Sequence, residues 1–317
     1  MFQGNLKSRR YFEGWYFKNV DRPEKRVIAV IPGVSLVEGG SSAFIQVLDG
    51  TMGESQYIEY PLKDFWASQE EFLIRIGGSQ FSHEGLQLDI YGDSVSVEGS
   101  ISFKDPVKWK GSTLRPGVMG WYSYVPFMEC YHGVVSMNHG LTGALNVNGE
   151  NINFAGGKGY SEKDWGRSFP SSHIWMQSNH FQDETASLML SVARIPWLGS
   201  AFTGYLIILQ RGDELLNMST YTGSKMKRLR KEEDRVHVTV ENRKYILDLT
   251  AYRGSSKLLK APKLGEMKGR IAESIDSVIN LRLSDKKTKE IIYEDTGRNA
   301  GFELNDDENE LTNSMRR

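Results

Sequence analysis

The sequence predicts an almost all-β protein: two consecutive antiparallel β-barrel or sandwich domains with few short helices. Three observations carry this. Apolar and polar residues alternate at period two in segment after segment, the spacing of half-buried strands. Turn residues punctuate those segments, in a 317-residue chain with 32 glycines and 11% aromatic residues. No long segment shows the apolar spacing of an amphipathic helix.

In chain order, residues 11–18 (YFEGWYFK) form a strand with Glu13, Trp15 and Phe17 on one face and Tyr16 and Lys18 on the other. Asp49-Gly50 and Gly92-Asp93 mark turns. Residues 144–147 and 151–154 flank Asn148-Gly149, which suits a type I′ hairpin because both central residues need positive φ. Gly156, Gly157 and Gly159 interrupt the strand pattern and place a domain boundary. After a turn at Phe169-Pro170, a strand sets His173, Trp175, Gln177, Asn179 and Phe181 on one face. Ile174, Met176, Ser178 and His180 take the other. Leu188, Leu190 and Val192 alternate, and residues 206–209 read as a buried strand before a Gly212-Asp213 turn. Val236, Val238 and Val240, then Tyr245, Leu247 and Leu249, give two more strands. The division expected is a first β domain over 1–158, a second over 159–304 and a disordered polar tail over 305–317.

Composition excludes several functions. Lys plus Arg number 39 and Asp plus Glu 40, so no global basic field for nucleic acid exists. A single cysteine, Cys130, excludes an intrachain disulfide framework and a cysteine-built metal cage. The start lacks the apolar core of a signal peptide, and the apolar stretch 205–209 is far too short to span a bilayer. The expected location is cytoplasmic, compatible with peripheral membrane contact. Residues 225–231 (KMKRLRK) carry five basic groups. They suit an anionic surface, or a solvated strand face, since Glu232, Glu233 and Asp234 follow. No Gly-rich phosphate loop, His-Glu-x-x-His or Gly-x-Ser-x-Gly motif occurs. His132 with His139, and His173 with His180, are spaced by seven, which puts each pair on opposite strand faces, so neither pair makes a metal site. Nucleotide and metal chemistry both lose weight.

Two aromatic and polar clusters stand out, residues 11–18 and 160–181. A strand face carrying Trp175, Gln177 and Asn179 has the mixture of a ligand pocket, mostly apolar with a few placed polar groups. The same face also suits a barrel rim, with both amides capping backbone groups and Trp175 as a core plug. Glu162, Lys163 and Asp164 suit either acid chemistry or a structural ion-pair turn. His132 suits a proton relay or a hydrogen-bonded histidine inside a barrel, and Cys130 a packed thiol.

FEGWYFK at 12–18 and YSEKDWGRSFP at 160–170 resemble the signature segments of the tocopherol cyclase family. Residues 120–166 run in the order of that family's middle region, and Ala261-Pro262 and the AGFE segment at 300–303 fit as well. The resemblance implies a lipocalin-like fold of two β-barrels, shared with carotenoid hydratase-like proteins. It also implies closure of a prenylated hydroquinone to a chromanol, an isomerase reaction needing no cofactor, in a pocket between or within the barrels. A protonated carboxylic acid would protonate the alkene, and the phenol oxygen would close the ring on the cation. On this basis Asp164 is the first candidate donor, with Glu13 and Glu162 as alternatives. Trp15, Tyr16, Trp165 and Trp175 would form an aromatic wall for the cation. Gln177 and Asn179 would hold the quinol oxygens. Lys18, Lys163 and His132 complete the binding set, the lysines also as ion-pair partners of the acids. The alternatives are a terpenoid hydratase or isomerase with the same wall, and a lipocalin-like lipid carrier without turnover. The expected partner is a small hydrophobic isoprenoid or prenylquinol ligand, or another lipid for the carrier.

Overall fold

A computed structural model describes residues 1–50, 54–113, 115–126, 128–197, 199–306 and 309–314. They form two lipocalin-like β domains of antiparallel strands. Among the described residues no helix is long and apolar enough to cross a membrane.

The first sheet opens with β1 (Tyr11–Val20), β2 (Val27–Leu36), β3 (Ser42–Asp49) and β4 (Glu54–Pro61). Five more strands follow: β5 (Phe65–Ala67), β6 (Leu73–Ile76), β7 (Ser79–Ser82), β8 (Gly85–Tyr91) and β9 (Ser96–Lys104). β10 (Cys130–Val147), β11 (Glu150–Asn153) and β12 (Lys158–Gly166) complete it. The spatial order is β4-β3-β2-β1-β12-β10-β9-β8-β7-β6-β5, with β11 paired to β10. One face of these strands, including Trp15, Phe17, Val30, Ile45, Phe81 and Leu141, meets in one buried cluster. Period-two alternation therefore curls the sheet around a single core. The β10–β11 turn has φ of 52° at Asn148 and 87° at Gly149, both positive as a type I′ turn requires.

The second sheet contains β13 (His173–Ser178), β14 (Ser187–Trp197), β15 (Ser200–Arg211), β16 (Glu214–Asn217) and β17 (Lys225–Lys231). It continues through β18 (Arg235–Glu241), β19 (Tyr245–Tyr252), β20 (Lys257–Lys263), β21 (Glu266–Asp285) and β22 (Ile291–Asn305). Its order is β16-β15-β14-β13-β22-β21-β19-β18-β17, with β20 paired to β21. Leu188, Leu190, Val192, Val236, Val238, Val240, Leu247 and Leu249 all point into its core.

Three sequence expectations differ from the structure. The glycines at 156 and 157 lie in a loop inside the first sheet, where Gly156 N–H donates to Leu141 O at 3.0 Å and Gly157 N–H to Phe154 O at 2.9 Å. β12 lies between β1 and β10, so residues 159–166 belong to the first sheet and not to a second domain. One compact unit comprises 1–110, 129–169 and 257–271, the other 111–128, 170–256 and the chain from 272 onward. Glycines interrupt a strand whether or not a domain ends there. Gly159 itself makes room for His139, whose Nε2 would lie 2.2 Å from an added Cβ.

Phe181 does not share a face with Trp175 and Gln177. β13 ends at Ser178, His180 makes an isolated bridge to Arg298, and Phe181 joins Ile174 and Met176 in the core. The strand ends before the alternation can reach it.

Part of the segment expected to be a disordered tail is folded. Asn305 ends β22, and a short helix α1 (Glu310–Ser314) buries Leu311 completely in the second core. Asp306 Oδ1 accepts the Leu311 N–H at 3.1 Å. Residues 307, 308 and 315–317 lie outside the described residues. The segment is polar in composition, yet one leucine suffices to dock it. Leu311→Ala should cost about 2–5 kcal/mol, the range for a buried leucine, seen as a lower urea midpoint of the full chain. An unchanged midpoint would mean that the helix does not dock.

Candidate functional site

Cross-strand register sorts the candidate residues onto two faces of the first sheet. Glu13 lies opposite Trp165 and Trp15 opposite Lys163, so these four share the core face. Gly14 lies opposite Asp164, Tyr16 opposite Glu162, and Lys18 opposite Tyr160, on the reverse face. β10 flanks β12 on its other side and sets His132 opposite Asp164.

On the reverse face, the His132 imidazole stands between two carboxylates. Its Nδ1 is 2.9 Å from Asp164 Oδ1 and its Nε2 is 3.5 Å from Glu162 Oε2. Tyr160 OH donates to Glu162 Oε2. The side chains of Glu162, His132 and Asp164 are 6%, 11% and 23% exposed, so the row runs from a buried acid to a more open one. Burial, then the Glu162 charge, pushes the Tyr160 phenol well above 10, which keeps it a donor. Burial and the neighbouring Asp164 likewise push the Cys130 thiol up, so it stays protonated as a packed thiol.

The same face carries an aromatic surface. Register aligns Asp164, Gly14, Gly33 and Phe44 across four strands. The Phe44 ring lies down over Gly33, where an added Cβ would be 2.2 Å from its Cζ, and its tip reaches to 3.9 Å from the corresponding point at Gly14. Two glycines thus let an aromatic ring approach the acid row. Tyr57 stacks on Phe44 at 5.2 Å. Glycines inside strands often mark such close approach, and Gly14 and Gly33 were the available signal for Phe44.

On the core face, Glu13 is fully buried and Lys163 Nζ lies 2.6 Å from its Oε1. Glu13 also accepts the Gln3 and Gly4 N–H groups at 2.9 and 3.1 Å and Tyr11 OH at 2.5 Å. Lys163 further donates to Met1 O at 2.8 Å and sits 4.6 Å over the Trp165 ring. Burial lowers the Lys163 pKa, and the Glu13 charge opposes that shift. A proton on Glu13 would displace one of its four donors. The arrangement ties the N-terminal segment to the sheet, and the expected pairing of Lys163 with an acid is present.

His139 presents a titration of its own. Its Nδ1 lies 3.0 Å from Ser136 Oγ, its ring 4.1 Å from that of Phe103, and burial lowers its pKa from 6.5 to about 3. Between those values the unfolded chain holds a proton that the folded chain does not. Stability is therefore fully present above about pH 6.5 and declines as pH falls toward about 3. The loss should be about 2 kcal/mol between pH 6.5 and 5. His139→Gln should remove that slope in urea titrations at the two pH values; parallel slopes would refute the assignment.

In the second unit, Ile174 and Met176 face the core, while His173, Trp175 and Gln177 take the reverse face. His173 Nε2 lies 3.2 Å from Glu303 Oε2. Gln177 is completely buried, yet neither amide atom meets a hydrogen-bond partner among the described residues. Leaving such a group unpaired costs about 1–3 kcal/mol, so a ligand supplying polar partners would recover it. Asn179 is buried just past the end of β13.

The structure thus joins Glu162, Asp164 and His132, with Tyr16 and Lys18 on the same face. Glu13, Trp15, Lys163 and Trp165 lie on the opposite face. Of the expected aromatic wall, Trp15 and Trp165 lie on the opposite face of the first sheet from Tyr16, and Trp175 lies in the second unit. Strand alternation divides them. His132, Glu162 and Asp164 also bring three ligand-type atoms within 4.8 Å of one another, a set able to hold a metal ion. A metal would have to displace the contacts of the imidazole with one or both carboxylates.

Comparison with known proteins adds the following. The tocopherol cyclase-like family model matches residues 91–305. A probable chloroplastic tocopherol cyclase of Oryza sativa subsp. japonica is 27% identical over 238 residues, covering 59% of this chain and 50% of that protein. A chloroplastic tocopherol cyclase of Zea mays is 37% identical over 238 residues, with the same coverage. The chain spans about half the length of the curated relatives it matches. Among solved structures, CghA with Sch210972 has a TM-score of 0.59 at 10% identity, covering 93% of this chain and 88% of CghA. Kievitone hydratase from Nectria haematococca has 0.52 at 12% identity, covering 92% and 88%. A putative AttH from Nitrosomonas europaea has 0.53 at 13% identity, covering 95% and 94%. At these identities the structural matches establish the fold alone.

Proposed function

The chain belongs to the tocopherol cyclase-like family, and from that membership we propose that it is an enzyme closing a prenylated hydroquinone to a chromanol by acid-initiated addition across the prenyl alkene. The observation that carries the reading is the His132 imidazole held between Glu162 and Asp164. Ring closure is an isomerisation, so the proton given to the alkene must be recovered from the phenol. An acid, a relay and a second carboxylate in one row suit that requirement.

Glu162 is the donor in this scheme. It is the more buried of the two carboxylates in the row, and the scheme requires it to hold a proton when the quinol binds. Its proton passes to the less substituted alkene carbon, the π pair forms the new C–H bond, and a tertiary cation results. The phenol oxygen attacks that cation and loses its proton, which returns through Asp164 and His132 to the Glu162 carboxylate. Phe44 and Tyr16, on the same face, offer π surface to the cation, an interaction of about 2 kcal/mol when desolvated. Gln177 enters separately, as a ligand-binding amide of the second unit. A polar partner there would satisfy both of its amide atoms.

The test is incubation of the full chain with a phytyl- or geranylgeranyl-substituted benzoquinol in deuterated water. The products are resolved by chiral chromatography and mass spectrometry. One chromanol enantiomer with one deuterium fixed on carbon is expected, at a rate unchanged by a chelator. Loss of activity on chelation, restored by a divalent metal, would instead assign the His132 cluster to metal binding. A tertiary alcohol in place of a ring would indicate a hydratase. Recovery of bound quinol with no conversion would indicate a carrier.

A further inference from the structure

The second unit displays an aromatic surface that the chemistry above does not use. Trp121, Tyr124 and Trp197 are 51%, 61% and 44% exposed. They are not scattered. Trp121 stacks on Tyr122 at 4.1 Å, and Tyr122 stacks on Phe202 at 6.3 Å. In the β14–β15 hairpin Ile195 pairs with Phe202 and Trp197 with Ser200, so Trp197 and Phe202 share one face. Trp121, Tyr122 and Phe202 thus form a stacked row, and Trp197 stands on the hairpin face that carries Phe202.

That row is held firmly from beneath. Tyr221 OH donates to Val118 O at 2.8 Å and accepts from Asn217 Nδ2 at 2.6 Å. The Tyr221 ring occupies the space beside Gly120, where an added Cβ would lie 2.5 Å away, and Gly120 has a φ of 58°. Tyr124 OH donates to Thr113 O at 2.5 Å. A glycine with positive φ and two anchored tyrosines therefore hold the exposed rings on a fixed turn.

The basic run of the sequence begins beside this row. Tyr221 is four residues before Lys225, and Tyr205 OH donates to Ser224 O at 2.6 Å, tying the start of β17 to β15. Lys225, Lys227, Arg228 and Arg230 are exposed on β17, which ends the strand order of the sheet. Glu241 is the acid facing the near end of β17. It lies opposite Lys225 and shares its carboxylate between Lys227 at 3.9 Å and Lys286 at 3.1 Å. Glu232 sits at the far end with Arg230, Arg235 and His237. Cations outnumber carboxylates at the end nearest the aromatic row, and Lys225 and Arg228 form no ion pair among the described residues.

We propose that this end of the second unit is an interfacial docking surface for an anionic lipid bilayer. Trp121, Tyr124 and Trp197 would enter the headgroup layer while Lys225 and Arg228 lie against anionic headgroups. Indole and phenol rings pair an apolar body with a polar edge, which is why they gather at the membrane–water boundary. Exposed aromatic rings beside an excess of exposed cations match that layer in both apolarity and charge.

The test needs no turnover, so its result is separate from that of the cyclase assay. The full chain is floated with vesicles of phosphatidylcholine alone and of phosphatidylcholine mixed with phosphatidylglycerol. It should bind the mixed vesicles, less so in high salt. Trp121→Ser with Trp197→Ser should weaken partition at least about tenfold, and Lys225→Glu with Arg228→Glu should abolish the preference for mixed vesicles. All four positions are exposed, and an unchanged thermal midpoint checks the fold. Brominated lipids should also quench the tryptophan fluorescence of the parent chain. Failure of the parent to float with either vesicle, absence of quenching, or equal flotation of the folded tryptophan variant would overturn the proposal.

Discussion

Glu162→Gln is expected to lower the rate of chromanol formation about 10²- to 10⁴-fold, the usual contribution of a positioned general acid. Glutamine keeps the shape and can still accept from Tyr160 OH, which now donates to Glu162 Oε2. It removes only the transferable proton, so thermal stability should change little. His132→Gln should also slow turnover, because the ring linking Glu162 to Asp164 at 3.5 and 2.9 Å is lost. Asp164→Asn should act more mildly and displace the pH–rate profile, since the buried acid remains. The decisive measurement is single-turnover chromanol formation by all three variants. If Asp164→Asn is inactive while Glu162→Gln retains full activity, the donor is Asp164 and the direction of the relay is reversed.

The second large effect concerns stability. Glu13→Gln should destabilise the chain by about 3–5 kcal/mol, because it strands a buried ammonium. Lys163 is mostly buried and its nearest charge partner is Glu13, 2.6 Å away. Lys163→Met should cost less, since Glu13 keeps the Gln3 and Gly4 N–H groups and Tyr11 OH as donors. The double variant should recover much of the loss, as a buried pair replaced whole often does. Equilibrium unfolding of the four chains gives the coupling energy directly. Strictly additive losses would show that the pair does not act as a unit.

Much of the fold was legible because strand periodicity is a local property. The separation of Glu13, Trp15 and Phe17 from Tyr16 and Lys18 followed from alternation alone, and so did that of Trp175 and Gln177 from Ile174 and Met176. The Asn148-Gly149 turn followed from the φ values those residues tolerate. Alternation misplaced Phe181, because no local signal announces that β13 ends at Ser178. The glycines at 156, 157 and 159 were misplaced as a boundary for a related reason. A glycine serves a loop, a close approach or a domain end with the same sequence mark.

The candidate site was legible as a list of residues but not as an arrangement. Glu162 and Asp164 share a face by their spacing of two, which a strand requires. Nothing in the spacing places His132 between them, thirty residues away, or lays Phe44 over Gly33 beside Gly14. The place of His132 depends on β12 inserting between β1 and β10 rather than pairing with the strand that follows it, and that of Phe44 on the register of β1, β2 and β3. By itself the sequence determined the strands, their faces, the main turns and the chemistry available on each face. Only the tertiary structure decided which faces meet, because the order and register of strands are set by burying the whole sheet's apolar face at once, a sum over residues distant in the chain.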